Sequence, residues 1–504
     1  MIFSSFQYLL FLPVAVFLYW RSRGHWRTLV VVLTSYFFYM SWMPVYGLLL
    51  FAITLFNWLL GLSLGQAKAS QNQIACKLLL LLGLFANVGA LCYYKYANFA
   101  LQNLTKLART AGGALPQSDY QAWLTQCNLP FLEIILPLGI SFFVFEFVHY
   151  LVDVYKGDKA ATNFLDFAAF AAFFPSQIAG PIKRYQDFLV KLAAPERLSR
   201  PVFYEGISLI MQGLFKKVAL ADNIATIIAA PYASSVPVSF VDGWLATIGF
   251  TIQIYCDFSG YTDMGRGSAL LLGIRLPENF NLPLIAPNLT LFWRRWHISL
   301  SSWLRDYIYI PLGGSRGAKW LNYRNLFLTM AIGGLWHGAS WHYVVWGVAH
   351  GLGLIAHRLW CALLDKTGIN QTISASKSIT VVTTVVSALI TFVFVAVAFS
   401  IFRAPDTSHA IVILQSLINV RNQDFTMLVP LLKSGIVPVS FAYMTFWLLS
   451  DYLLKHRTVI DPLIKSDNLV QFKQPVRLAS WIAACILMVA SRPMETVPFL
   501  YFQF

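Results

Sequence analysis

Charge is what this chain has least of. Only 12% of its 504 residues are Asp, Glu, Lys or Arg, about half the share of an ordinary soluble domain. Hydrophobic residues make up 58% and the mean hydropathy is +0.62, a surplus of apolar surface that only lipid can hide. Apolar runs extend from Phe6 to Val489, so no large soluble domain is expected. Acidic residues are the scarcer sign, 22 against 37 basic ones, for a net charge of +15. In a membrane chain such an excess is first topological, because Lys and Arg collect in cytoplasmic loops. It also suits anionic headgroups or an anionic cytoplasmic ligand. No long basic soluble segment or nucleic-acid fold signature is present, so nucleic acid is not an expected partner.

Cysteine is sparse as well. Six are scattered at positions 76, 92, 127, 256, 361 and 485 with no CxxC pair, which excludes a zinc knuckle or a redox motif. HExxH, GxSxG and Walker-type loops are missing, and no carboxylates are paired at metal-ligand spacing. No bound metal is expected. The N-terminal apolar run lacks a basic region before it and a small-residue cleavage site after it, and so reads as a retained first span.

What is present is a series of apolar segments near the roughly 20 residues a spanning helix needs. They are Phe6–Trp20, Leu29–Trp42, Val45–Leu64, Leu78–Tyr94, Leu326–Val345, Trp346–Leu364, Ile379–Phe402, Ile436–Ser450 and Leu478–Ser491. Ile134–Tyr150, Phe164–Ala179, Tyr204–Ala230 and Trp244–Cys256 are apolar but short or interrupted by charge. The expectation is an all-α polytopic membrane protein of roughly eleven spans, with re-entrant segments besides. Arg21, Arg23 and Arg27 place the N-terminus outside. Lys183, Arg184, Lys191, Arg197 and Arg200 mark one inside loop, and Arg294, Arg295, Arg305, Arg316, Lys319 and Arg324 another. The polar stretch Asn98–Asn128 then falls outside. From Cys256 to Arg324 the chain is rich in Pro, Gly, Arg and aromatics. Irregular backbone there survives only under protein cover or along a water-lined cavity, which suggests a cytoplasmic funnel.

Three blocks carry chemistry. In "ILPLGISFFVFEFVHYLVDVYKG" (Ile135–Gly157), spacings of three and four put Glu146, His149 and Asp153 on one helix face. That stripe is either interhelical glue or a chamber wall. The second block gathers Arg294, Arg295, His297, Trp303, Arg305 and Asp306. Arginine forks suit phosphate or carboxylate and the aromatics suit stacking on a planar ligand, so Arg294, Arg295, Trp303, Arg305 and Asp306 are candidate donor-binding residues. The competing reading is a helix end whose arginines snorkel at the inner interface. His297 stands among Trp296, Ser299, Ser301 and Ser302. The third block, "GGLWHGASWHYVVWG" (Gly333–Gly347), lies in a run free of Asp, Glu, Lys and Arg from Asn325 to His357. Gly333, Gly334, Gly338 and Ala339 remove bulk and admit a close neighbour. Trp341, one turn beyond His337, is expected to wall off its imidazole. A neutral imidazole is a competent general base, against which stands a plain hydrogen-bonded packing role. His149, His342, His350 and His357 read as packing or secondary residues.

At these residues the sequence resembles the membrane-bound O-acyltransferase superfamily, and within it most of all the bacterial alginate O-acetylase branch. "FFPSQIAGPIKRY", "YCDFSGYTDMGRGSALLLGIRLPENFN" and "FWRRWHISLSSWLRDYIYIPLGGSR" carry the likeness together with the first and third blocks. The resemblance implies a single membrane domain over 1–504, with N-terminal helices at 1–130, a catalytic core at 131–364 and C-terminal helices at 365–504. It implies a ring of helices around a funnel and a tunnel. It also implies His337 as the catalytic base, with His297 as the second histidine nearer the cytoplasmic mouth. The C-terminal spans favour the polysaccharide-acetylating branch over the D-alanyl-teichoic acid branch. The activity implied is transfer of acetyl from a cytoplasmic thioester, acetyl-CoA or another, for O-acetylation of an exported polysaccharide such as alginate. The setting implied is the bacterial inner membrane. The implied partners are a periplasmic SGNH-type acetyltransferase, the polysaccharide export machinery and membrane lipid, with no permanently bound cofactor. A transporter or flippase for a polysaccharide precursor is the alternative, with His337 as a proton relay. A non-catalytic scaffold is the third.

Overall fold

The computed structural model describes residues 1–112, 134–369 and 375–422, with 132, 426, 439–443, 445, 481–489 and 499–500. Every regular element among the described residues is helical. The N-terminal group is α1 (Phe6–Arg21), α2 (His25–Met40), α3 (Val45–Ala69) and α4 (Gln73–Leu91), which passes through a π-helical turn at Cys92–Tyr96 into α5 (Ala97–Gly112). The central group is α6 (Ile140–Lys156), α7 (Phe164–Ala172), α8 (Tyr185–Ala193), α9 (Arg200–Phe215), α10 (Asp222–Ala233) and α11 (Phe240–Leu271). Two short helices, α12 (Leu289–Arg295) and α13 (Ile298–Leu304), precede the long pair α14 (Lys319–His337) and α15 (Trp341–Thr367). Then follow α16 (Lys377–Arg403) and α17 (Thr407–Ser416). The expected span Ile436–Ser450 lies largely outside the described residues, and the described part of Leu478–Ser491, residues 481–489, is helical.

Among the described residues, four helical stretches are long and apolar enough to cross a bilayer: Val45–Ala69, Gln73–Leu107, Trp341–Thr367 and Lys377–Arg403. Phe6–Arg21 is apolar but shorter. Local chemistry starts these helices where the chain requires it. Ser5, Asn72, Ser239 and Asn288 each accept a backbone N–H of the following first turn. Pro44 caps α3 and separates it from α2. Where two spans meet without water, polar side chains join them. Asn57 on α3 and Asn87 on α4 exchange both amide hydrogen bonds, at 3.1 and 2.7 Å, and both are buried.

Three boundaries differ from expectation. The irregular region does not begin at Cys256, because α11 runs unbroken to Leu271. Its glycines serve close packing against α9 instead of turning the chain. A Cβ on Gly213 would meet the Gly260 carbonyl at 2.3 Å, and one on Gly267 the Gly206 carbonyl at 2.5 Å. Conversely, the apolar stretch Phe164–Ala179 is helical only to Ala172. Residues 173–180 form buried turns through Pro175, which supplies no N–H. Hydroxyls from elsewhere satisfy the neighbouring backbone: Phe174 N–H donates to Ser35 Oγ at 3.1 Å and Ile182 N–H to Ser299 Oγ at 3.0 Å. Lastly, Leu326–Val345 is not one span. The chain breaks at residues 338–340, between α14 and α15.

These helices enclose two aromatic cores, one built mainly from α1–α3 and α6–α8 and the other from α10–α12 and α14–α16. Phe280 packs against both. The histidine-bearing segments lie along this seam.

Candidate active site

His337 is the last residue of α14, whose nineteen residues place it roughly 28 Å from the Lys319 end. The residue is 7% exposed. Three aromatic rings stand edge-on around its imidazole, with centroids at 4.9 Å for Trp336, 5.1 Å for Trp346 and 5.3 Å for Phe402. Trp341 does not wall it off as expected. Gly338 is fully extended (φ −167°, ψ 156°), so the helical spacing that would align residues 337 and 341 is lost. Trp341 instead opens α15 at 54% exposure, donates its indole N–H to Asn103 Oδ1 at 2.9 Å and leans on Phe99. Trp346 on α15 takes its place beside the imidazole. It can do so because α14 and α15 cross at bare backbone. A Cβ on Gly347 would sit 2.4 Å from the Met330 carbonyl, and one on Gly334 2.4 Å from that of Tyr343.

His297 is the N-cap of α13 and adopts left-handed backbone (φ 42°, ψ 56°), a conformation few non-glycine residues take. The residue is buried, with Phe258 edge-on at 4.6 Å. Buried Asn279 holds the strained corner. Its carbonyl accepts Ile298 N–H at 3.0 Å and its side-chain oxygen accepts Ser299 N–H at 3.1 Å. His337 lies within electrostatic range of His297, and also of Lys95 and His350. The two candidate histidines therefore share one neighbourhood although separate segments carry them.

Beside α13 lies a cavity of about 200 Å³. His149, Lys183, Arg184, Lys191, Arg275, Ser299, Ser302 and Trp303 are among its walls. All four of these cations have structural partners, Arg275 through Glu205 at 2.5 Å and Glu196 at 3.3 Å. Lys183 Nζ contacts both Glu146 oxygens at 2.7 and 2.8 Å, and Lys191 Nζ donates to the Arg275 carbonyl at 2.9 Å. Arg184 binds the Tyr307 hydroxyl at 2.6 Å and pairs with Asp306. Tyr307 in turn donates to Asp153. The Glu146–His149–Asp153 face is thus both glue, through its carboxylates, and wall, through His149.

Of the five candidate donor-binding residues, Trp303 lines this cavity and the others do not. Arg305 and Asp306 pair with each other at 2.7 Å, and Asp306 approaches the cavity only through Arg184. Burial opposes the charged form of Asp306, but the hydrogen bonds and charges of Arg305 and Arg184 outweigh it and hold the carboxyl below its usual range. Arg294 is exposed and Arg295 half-buried at the end of α12. Trp303 donates its indole N–H to the Phe145 carbonyl at 3.1 Å and stacks on the Phe145 ring at 3.9 Å. Phe145 stacks in turn on Trp336 at 4.9 Å. This three-ring column connects the cavity wall to the residue adjoining His337. Sequence reasoning gave no site role to Lys191, Arg275, Asn279 or Phe145, because each acquires one only through contacts far away in the chain. Lys95 was missed too: its ammonium donates to the carbonyls of Trp336 and His337 at 2.8 and 2.9 Å. Among the described residues, no cluster of three or more His, Cys, Asp or Glu is arranged to hold a metal ion.

Apolar spanning helices around a sunken pair of histidines define a helical membrane protein with a buried polar site. Residues 71–400 match the model of MBOAT, the membrane-bound O-acyltransferase family. The chain is 42% identical over 415 residues to the probable alginate O-acetylase AlgI of Pseudomonas aeruginosa, covering 81% of this chain and 73% of that protein. It is 37% identical over 520 residues to that of Pseudomonas putida, with both chains covered in full. It is also 33% identical over 444 residues to the peptidoglycan O-acetyltransferase of Helicobacter pylori, covering 81% and 78%. The chain belongs to the membrane-bound O-acyltransferase family and is a multi-pass membrane O-acyltransferase.

Proposed function

We propose that this enzyme moves an acetyl group from a cytoplasmic thioester, acetyl-CoA, across the bacterial inner membrane for O-acetylation of an exported polysaccharide such as alginate. Residues 131–364 form its catalytic core, between N-terminal helices to residue 130 and C-terminal helices from 365. One observation carries the reading: His337 ends a helix that starts at a basic loop, the charge expected on the cytoplasmic side, and it sits in electrostatic range of a second buried histidine. The names of the similar proteins, which acetylate alginate or peptidoglycan, support acetyl as the acyl group.

The chemistry follows from that placement. The thioester enters from the cytoplasmic side, where the cavity cations and Arg294, Arg295 and Arg305 attract its anionic carrier and Trp303 offers an aromatic surface. The acyl end passes inward by the His297 corner while the charged carrier stays behind. A hydroxyl is a poor nucleophile, so His337 takes its proton as the oxygen attacks the thioester carbonyl. The C–O bond forms, the C–S bond breaks, and the carrier leaves as a thiol. His297 positions the thioester and donates towards the developing oxyanion. The acceptor hydroxyl arrives from the periplasmic side on an SGNH-type acetyltransferase that serves the export machinery.

The test is acetyl-CoA turnover by purified protein with acceptor present, read as release of free thiol. His337→Ala is expected to lower kcat by about 100-fold or more while the protein stays folded. His297→Gln is expected to lower kcat by about 10- to 100-fold with donor binding retained. Wild-type turnover by folded His337→Ala would refute the base assignment, and unchanged kinetics for His297→Gln would leave that residue as packing.

A further inference from the structure

The turn Cys92–Tyr96 is π-helical and interrupts a helix that otherwise runs from Gln73 to Leu107. Such turns insert an extra residue and redirect the side chains within and beyond them. Here the redirected side chains are Lys95 and Tyr96, and both reach the end of α14. Lys95 Nζ donates to the carbonyls of Trp336 and His337, and Tyr96 Oη donates to that of Leu335 at 2.7 Å. These three carbonyls belong to the last turn of a helix, where no intrahelical donor exists. In a water-poor setting each would otherwise be a costly unmet acceptor. The ammonium also lies 5.8 Å from the Trp336 ring centroid. Among the described residues, the hydrogen-bond partners of the Lys95 ammonium are these two carbonyls, of Trp336 and His337, so the carbonyl end of α14 serves as its counter-charge.

Resting on the assignment of His337 as base, we propose that Lys95 is the positioning residue of this enzyme. It clamps the open end of α14 and so fixes the imidazole against Trp346 and Phe402. The device is needed because the chain departs from the helix immediately after His337, through extended Gly338. The last carbonyls of α14 have no donor within the helix itself. Tyr96 contributes one further point of attachment, one residue back from the Lys95 pair.

The test uses the full-length protein and two readouts. In acetyl-CoA turnover, Lys95→Met is expected to lower kcat by about 100-fold, the effect of a misplacement near 1 Å, with KM for acetyl-CoA within about twofold. Lys95→Arg, which keeps the charge and the donors, is expected to recover about tenfold or more of that loss. Amide hydrogen exchange of residues 330–345 is expected to quicken in Lys95→Met and, to a smaller degree, in Tyr96→Phe. Unchanged kcat in Lys95→Met, a loss carried by KM, or exchange at the wild-type rate would each overturn the proposal. His337→Ala in the same turnover assay separates the two claims. If it stays active the base assignment fails, while the exchange measurement still judges the clamp.

Discussion

Glu146 shows what a single residue does and does not reveal before its neighbours are known. A carboxylate on an apolar helix announces a polar contact, and its three-and-four spacing with His149 and Asp153 announces a face. The partner, Lys183, is marked in the sequence only as a cytoplasmic-loop charge, yet both groups are buried and 2.7 Å apart. Removing one member leaves the other buried and uncompensated. Glu146→Ala is expected to cost about 3–5 kcal/mol, seen as a lower Tm in detergent, and Glu146→Leu with Lys183→Met is expected to regain most of it. A double variant no better than the single one would contradict this. His297, Trp303 and His337 can be singled out as candidates in the sequence because polar or aromatic groups stand out against glycine and apolar runs. Lys95 follows directly on the expected span Leu78–Tyr94 and carries no signal of its own. Its meaning comes from carbonyls more than two hundred positions away.

Hydropathy finds apolar elements but is blind to where they break. It merged the end of α14 with the start of α15, because Gly338, Ala339 and Ser340 read as small, tolerable residues in a continuous run. It stopped α11 early, because Asp257, Asp263 and Arg266 look too polar for a span. In the structure Lys217 meets Asp257 at 2.8 Å and Lys216 meets Asp263 at 2.6 Å, which allows the helix to continue. Spacing arguments fail at the same places: Trp341 was placed beside His337 by a helical turn that does not exist. The element that matters most here is the α14–α15 crossing, where Gly334 and Gly347 touch. Gly347→Val is expected to force the helices apart, lowering stability by about 1–3 kcal/mol and kcat more than the donor KM. Thermal unfolding together with turnover checks it. A valine accepted without change in either would mean that the crossing is not tightly set.

For the whole molecule, composition and five ordered blocks were enough to indicate a helical membrane acyltransferase, which the family match establishes. The internal arrangement was less legible, because the candidate site draws on α6, the 173–183 turns, α13, α14, α15, α16 and the π-turn after α4. The orientation proposed from the basic loops has its own consequence. Arg197→Cys, in an exposed basic loop, is expected to react with an impermeant thiol reagent only after cells are opened. Ser340→Cys, at the far end of α14, is expected to react in intact cells. The reverse pattern would invert the assigned sidedness. The central claim is that acetyl crosses from thioester to hydroxyl at His337. Its most direct measurement is in sealed inside-out vesicles, with labelled acetyl-CoA outside and an alginate oligosaccharide with its periplasmic acetyltransferase inside. The expected result is label on the enclosed acceptor with wild-type protein and none with His337→Ala, although the variant still binds acetyl-CoA. Equal labelling of the enclosed acceptor by wild type and variant would contradict it.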